Sequence, residues 1–404
     1  MTTEETVAGL IESPAFRKAV ATLAAEHDRT VEDIITLTEI PAPPFGEEKR
    51  AAAYLEMLRA HGLEDVEQDE IGNVMGLRRG AGNGSLMVVA AHLDTVFPAG
   101  TDVKVRREGT KLFAPGVGDD TRSLAVLLAY MRAMDAAGIR TRSDILFVGD
   151  VGEEGLGDLR GMRHLFTQGK YKGKIDAFFS IDGTTMDRMT VTGVGSKRYR
   201  VAFKGPGGHS YGAFGRVSPS FAMAKAIALL GEVEVPKQPK TTYSVSVLGG
   251  GTSVNAIPND VWMEVDLRSE APAELEKLHA RFLEILEEAT QAENAARDVD
   301  AGLISYTLTT IGDRPAGNTS LESELVTLSR AAIKAHGYEA RPAASSTDAN
   351  IGMSLGIPAI QIGSGGSGGR EHSLEEWIDV EPTASIRGMS AGLAAVLAVA
   401  GVVD

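Results

Sequence analysis

A histidine and an aspartate two residues apart, His92 and Asp94, stand directly behind the apolar run Ser85-Leu-Met-Val-Val-Ala-Ala91. A carboxylate beside an imidazole can fix the ring tautomer and leave the other nitrogen free for a metal. Taken alone, such a pair more often marks a solvated loop. Asp119 and Asp120, in Gly116-Val-Gly-Asp-Asp120, precede a helical pattern from about Arg122 to Ala137. Adjacent aspartates there serve helix capping and metal binding equally well. Glu153 and Glu154 follow the apolar run Asp144-Ile-Leu-Phe-Val-Gly149, so one carboxylate can bind a cation while its neighbour acts as a base. Asp182 follows Ala177-Phe-Phe-Ser-Ile181, and His372 lies beyond a glycine-rich loop, 363–369, behind Ile357-Pro-Ala-Ile-Gln-Ile362.

The joint pattern decides between these readings. Separate segments each set His, Asp or Glu just past a buried apolar strand or its loop, where open α/β sheets collect their functional groups. Zn²⁺ accepts imidazole and carboxylate ligands, and paired ions about 3.5–4 Å apart commonly share an oxygen ligand. The chain has no cysteine, so any metal must be held by His, Asp and Glu.

Continuous apolar runs bounded by turn residues suit strands covered on both faces, and helices between them imply an α/β domain with parallel members. Helix-like periodicity covers 16–38 and 47–62, the latter after the breaker Pro41-Ala-Pro43-Pro44. From about Gly195 the texture changes. Lys197-Arg-Tyr-Arg-Val-Ala-Phe203 and Trp262-Met-Glu-Val-Asp-Leu-Arg268 alternate polar and apolar residues, with helical patterns at 218–231 and 272–292. This predicts an inserted α+β domain with one open sheet face at 195–311, dividing a first domain into 1–194 and 312–404. A helix at 320–336, the strand at 357–362 and a helix at 381–400 complete that first domain.

At 404 residues two domains are the default expectation. A formal net charge of −15 argues against nucleic acid as a partner. The acidic N-terminus lacks the basic and apolar regions of a signal peptide, and the apolar C-terminal stretch is rich in Ala and Gly. A buried terminal helix is expected there, not a membrane span, and a cytoplasmic location follows as an expectation.

Several spaced motifs occur in one order: AAHLDTV, GVGDD, GDVGEEG, SIDG, GPGGHSYG, SVNAIP, EVDLRS, STDAN and GGREHSLEEW. On these the sequence resembles, from about Ile40 to Glu381, the dinuclear zinc exopeptidase family that includes peptidase T, glutamate carboxypeptidase, acetylornithine deacetylase and aminoacylase. The resemblance implies a zinc-exopeptidase-like α/β domain with a mixed sheet, and an inserted ferredoxin-like lid and dimerisation domain. It also implies a homodimer and two divalent ions, Zn²⁺ first, with Mn²⁺ or Co²⁺ permitted by the same donors. His92 and Asp182 then resemble the ligands of one ion, Glu154 and His372 those of the other, with Asp119 bridging. Asp94 would orient His92, and Glu153 would be the general base. His209 is similar to the lid histidine that helps bind the reacting carbonyl in the partner subunit's site. Asn255 and Arg268 match lid positions that contact substrate. The family usually continues Asp-Asp with Lys-Gly-Gly, whereas this chain has Thr121-Arg122-Ser123, an altered helix entry that leaves every ligand in place.

The reaction implied is hydrolysis of an amide bond in a short peptide or another small molecule, with a peptidase T-like exopeptidase favoured. N-deacylation, carboxypeptidase action and deamination of a non-peptide substrate use the same metal pair and stay open. A metal-free binding protein on the same scaffold is the rival from another class, and no expected ligand is missing to favour it. A dinucleotide-dependent dehydrogenase is set aside, because no GxGxxG opens a helix after the first strand.

Overall fold

Residues 86–91 are apolar at both parities because both faces of their strand are covered. In the computed structural model, which describes residues 2–82 and 84–403, strand Leu86–His92 pairs in parallel with Asp144–Asp150 on one side and Ala177–Ile181 on the other. Met87, Val89 and Ala91 enter one apolar core, while Leu86, Val88 and Ala90 enter a second across the sheet. The first core is closed by helices Pro14–Ala25, Arg122–Ala137, Glu324–Ala335 and Pro382–Ala400, the second by Arg160–Thr167 and Ala349–Ser354. Ala359–Ile362 adds a further parallel strand beside Ala177–Ile181. Val74–Arg78, Glu64–Gln68 and Arg188–Gly193 pair antiparallel and make the nine-stranded sheet a mixed one. Helix Pro382–Ala400 is long and apolar enough to cross a membrane, yet Gly388 to Ala398 are all buried in the fold.

The consequence for function lies in direction. Four parallel strands deliver the chain to the same edge of the sheet. Beyond that edge come His92, the turn carrying Glu153 and Glu154, Asp182, and the loop leading to His372.

The periodicity at 16–38 predicts one helix, but two form, Pro14–Ala25 and His27–Thr38. Glu26 leaves helical geometry at the junction (φ −103°, ψ 18°). The buried Arg132 guanidinium grips both sides of the bend, with Nε 2.7 Å from Glu26 and Nη1 2.9 Å from Asp33.

The second compact unit spans Val194–Gly317, and Met1–Gly193 with Asn318–Asp404 form the first. It extends past the predicted limit at 311 because strand Ser305–Arg314 stays paired with Gly195–Lys204 as far as Ser196 opposite Arg314. Its four-stranded antiparallel sheet runs in the order Thr241–Gly250, Asp260–Ser269, Gly195–Lys204, Ser305–Arg314. Alternation decides the faces. Tyr199, Val201, Phe203, Met263 and Val265 pack under helices Pro219–Gly231 and Pro272–Ala296, while Arg198, Arg200, Trp262 and Arg268 stand on the other side.

Candidate metal centre

His92 is the last residue of its strand, and the next peptide is held from two sides. Leu93 N–H donates to the Asp150 carbonyl (2.7 Å), and the Leu93 carbonyl accepts from Arg50 Nη1 (2.7 Å). Arg50 is wholly buried and also donates to the Ile40 carbonyl (3.1 Å). Burial lowers its pKa to about 10, and the Asp94 and Asp120 carboxylates oppose that shift. Asp94 is equally buried. Its Oδ1 accepts from Glu153 N–H (3.0 Å) and its Oδ2 from Glu154 N–H (2.8 Å), so one carboxylate sets both glutamates. The sequence pattern assigned that carboxylate to orienting His92. His92 Nδ1 lies 3.6 Å from that carboxylate's Oδ1 and closer, at 3.0 Å, to the Asp94 main-chain oxygen. Nδ1–H donating there leaves Nε2 as the free ligand nitrogen.

Nε2 of His92 lies 2.9 Å from Oδ1 of Asp119, and Nε2 of His372 lies 3.0 Å from Oδ2 of the same carboxylate. His372 Nε2 is also 2.9 Å from Glu154 Oε1. One carboxylate therefore spans two imidazoles that are 280 residues apart in the chain. Ligand atoms of His92, Asp119 and Glu154 fall within 4.8 Å of one another, as do those of His92, Asp120 and Asp182. Asp120, read from sequence only as half of a carboxylate pair, thus borders the site. Its Oδ2 accepts from His92 N–H (3.1 Å), and its Oδ1 is buried with no hydrogen-bond partner among the described residues.

The electrostatics follow from this crowding. Hydrogen bonds donated to Asp119 and Glu154 push the His372 imidazole up to about 11. Burial would depress His92, but the carboxylates of Asp119 and Asp94 outweigh it and raise its pKa. Burial would raise Asp119, yet the two imidazoles hold it well below the usual carboxylate range. Burial, then repulsion from Asp119, lifts Asp182 to about 8. Carboxylates outnumber cations around a largely buried floor, with His372 at its exposed edge. Divalent ions fit such a donor set, because they relieve the repulsion and accept imidazole and carboxylate oxygen together.

The altered helix entry is built into the fold. Thr121, Arg122 and Ser123 are all buried; Thr121 Oγ1 donates to the Gly116 carbonyl (2.9 Å), and Arg122 Nε donates to the Gly365 carbonyl (2.8 Å).

His209, Asn255 and Arg268 lie in the second unit. His209 is exposed, and its Nδ1 accepts from Tyr211 N–H (3.2 Å) and Gly212 N–H (3.3 Å), which puts the ring proton on Nε2. The Asn255 carbonyl accepts from Ser210 N–H (2.9 Å), so these two sit side by side. Arg268 Nε donates to Asp266 Oδ2 (2.8 Å) on the open sheet face.

The sequence matches peptidase family M20/M25/M40 over residues 88–398, well over half of the chain. The chain belongs to this family. It is a metal-dependent hydrolase of the peptidase and amidohydrolase kind. Succinyl-diaminopimelate desuccinylase of Corynebacterium glutamicum is similar at 25% identity over 344 residues, covering 81% of this chain and 86% of that one. Aminopeptidase PepT from Bacillus cereus has a similar fold, with a TM-score of 0.75 at 20% identity over 93% of this chain and 99% of its own. YxeP from Bacillus subtilis, a dinuclear metal binding peptidase, has a TM-score of 0.64 at 17% identity over 92% of this chain and 98% of its own.

Proposed function

We propose that this family member hydrolyses an amide bond in a small, peptide-like substrate at a dinuclear metal centre. His92, Asp119 and Asp182 would hold one ion, and Asp119, Glu154 and His372 the other. The observation that carries the reading is the Asp119 carboxylate, with one oxygen on His92 and the other on His372. Bound ions supply Lewis acidity at the scissile carbonyl and make water a better acid. Zn²⁺ is the first choice, with Mn²⁺ or Co²⁺ as substitutes.

Glu153 is the general base in this reading. Its backbone is fixed through Asp94, and its side chain is nearly buried beside Glu154. It takes a proton from the attacking water and returns it to the leaving nitrogen. His209, whose Nδ1 is taken up by Tyr211 and Gly212 N–H, offers Nε2–H as a donor suited to a developing oxyanion. We assign it to the partner subunit's site in a homodimer, as the resemblance implies. Asn255 beside it and Arg268 on the open sheet face are assigned to substrate polar groups.

Exopeptidase action of the peptidase T kind is favoured by the motif order together with the shared fold of PepT. The desuccinylase relative supports a second reading, removal of an N-acyl group from an amino acid. Metal-loaded enzyme assayed on free and terminally blocked di- and tripeptides beside N-succinyl and N-acetyl amino acids separates the two. Turnover of free tripeptides alone supports the first, and turnover of acyl amino acids alone replaces it with the second. No hydrolysis of any amide would overturn both.

A further inference from the structure

Outside the ligands, a second buried carboxylate besides Asp94 holds the backbone around the centre. Glu376 is 1% exposed and lies four residues after His372. Its Oε2 accepts from Gly116 N–H (2.8 Å), and its Oε1 accepts from Gly118 N–H (2.7 Å) and Asp119 N–H (2.9 Å). Its main-chain carbonyl accepts from Ala114 N–H (3.1 Å). One residue thus takes up four donors of the loop that ends in Asp119. The segment is an irregular turn, with Gly116 at φ +77° and Asp119 and Asp120 out of helical geometry, so these donors take an acceptor from outside it. His372, by contrast, is half exposed and is held at its ring by Asp119 and Glu154. Arg122, just past the loop, ties the same two segments at a second point through the Gly365 carbonyl.

We propose that Glu376 is a positioning residue that locks the Asp119 loop to the His372 segment, so that one piece of structure presents the bridging carboxylate and the second imidazole. The inference rests on the metal-centre reading above. A carboxylate is required because three N–H groups converge on two oxygens, and an amide offers one acceptor and turns the other position into a donor.

The test is a competitive titration of Zn²⁺ against a chelator in wild type and Glu376→Gln, with metal-free thermal unfolding measured in parallel. Wild type binding fewer than two ions would refute the metal-centre reading itself. With two ions bound in wild type, Glu376→Gln should fold and bind Zn²⁺ about 10–100-fold more weakly, the size of effect seen when groups supporting metal ligands are lost. Lower metal-free stability with unchanged Zn²⁺ affinity would show a merely structural clasp and overturn the proposal. If Glu376→Gln does not fold, Glu376→Asp is read the same way, since it keeps the charge but draws both oxygens back by one methylene. Zn²⁺ affinity in that variant equal to wild type overturns the proposal as well.

Discussion

Replacing Asp94 with Asn tests how the two glutamates of the centre are set. The wild-type carboxylate is wholly buried and accepts from Glu153 N–H at 3.0 Å and Glu154 N–H at 2.8 Å. Asparagine keeps one acceptor and points an NH₂ at the other amide, so one charge-assisted bond is lost and one buried N–H is left unpaired. Loss of such a bond costs about 1.5–3 kcal/mol. The loss also removes a counter-charge from wholly buried Arg50, which adds to it. Together these place the destabilisation of the metal-free protein at about 2–4 kcal/mol, the upper part reflecting the uncompensated guanidinium. The same change loosens Glu154 as a ligand and should weaken metal binding about 10–100-fold. Urea unfolding in chelator and a calorimetric metal titration read the two effects separately. Wild-type values in both for Asp94→Asn would refute the reasoning, because the carboxylate would then not be holding this turn.

Glu153→Gln should keep near-normal metal content while kcat falls by about 10²–10⁴, the usual size of a general-base contribution. Wild-type turnover in that variant ends the assignment. His61 gives a pH dependence away from the metal centre. Its Nδ1 pairs with the Met57 carbonyl at 2.8 Å, and its buried Nε2 has no hydrogen-bond partner among the described residues. Burial lowers its pKa below the ordinary 6.5. The unfolded chain then binds the proton more readily than the folded one. The stability His61 contributes is therefore full above pH 6.5 and is lost as pH falls through the lowered folded value. His61→Gln should flatten the acid-side slope of unfolding free energy against pH; identical slopes in the two proteins contradict the prediction.

The strand ends were legible in the sequence for a physical reason. A parallel strand covered on both faces is apolar along most of its length, so the charged residues that follow such a run mark where the chain leaves the sheet. His92, Asp182 and the Glu153–Glu154 pair follow such runs, and the structure brings Asp119 and Glu154 within ligand range of His92, and Asp120 and Asp182 within range of the same residue. His372 follows a loop instead of a strand, and the contact with Asp119 could be read only by resemblance. Glu376 and Arg50 carried no such mark. Their work is hydrogen bonding to main-chain groups distant in sequence, and nothing in composition or period announces a backbone N–H that needs an acceptor. The same blindness explains Asp94. A residue type suggests a carboxylate acting on a ring, and the fold gives that carboxylate two amides as well and adds a carbonyl to the ring's partners. The bend at Glu26 escaped because the apolar period runs through it, and the cause, Arg132, lies more than a hundred residues away.

In the proposed centre Asp119 bridges two ions. Crystals grown with Zn²⁺ and measured on both sides of its absorption edge test this directly. Two anomalous peaks should flank the Asp119 carboxylate, one beside His92 and Asp182, the other beside Glu154 and His372. No peak at Asp119, or a single ion held without it, would contradict the account.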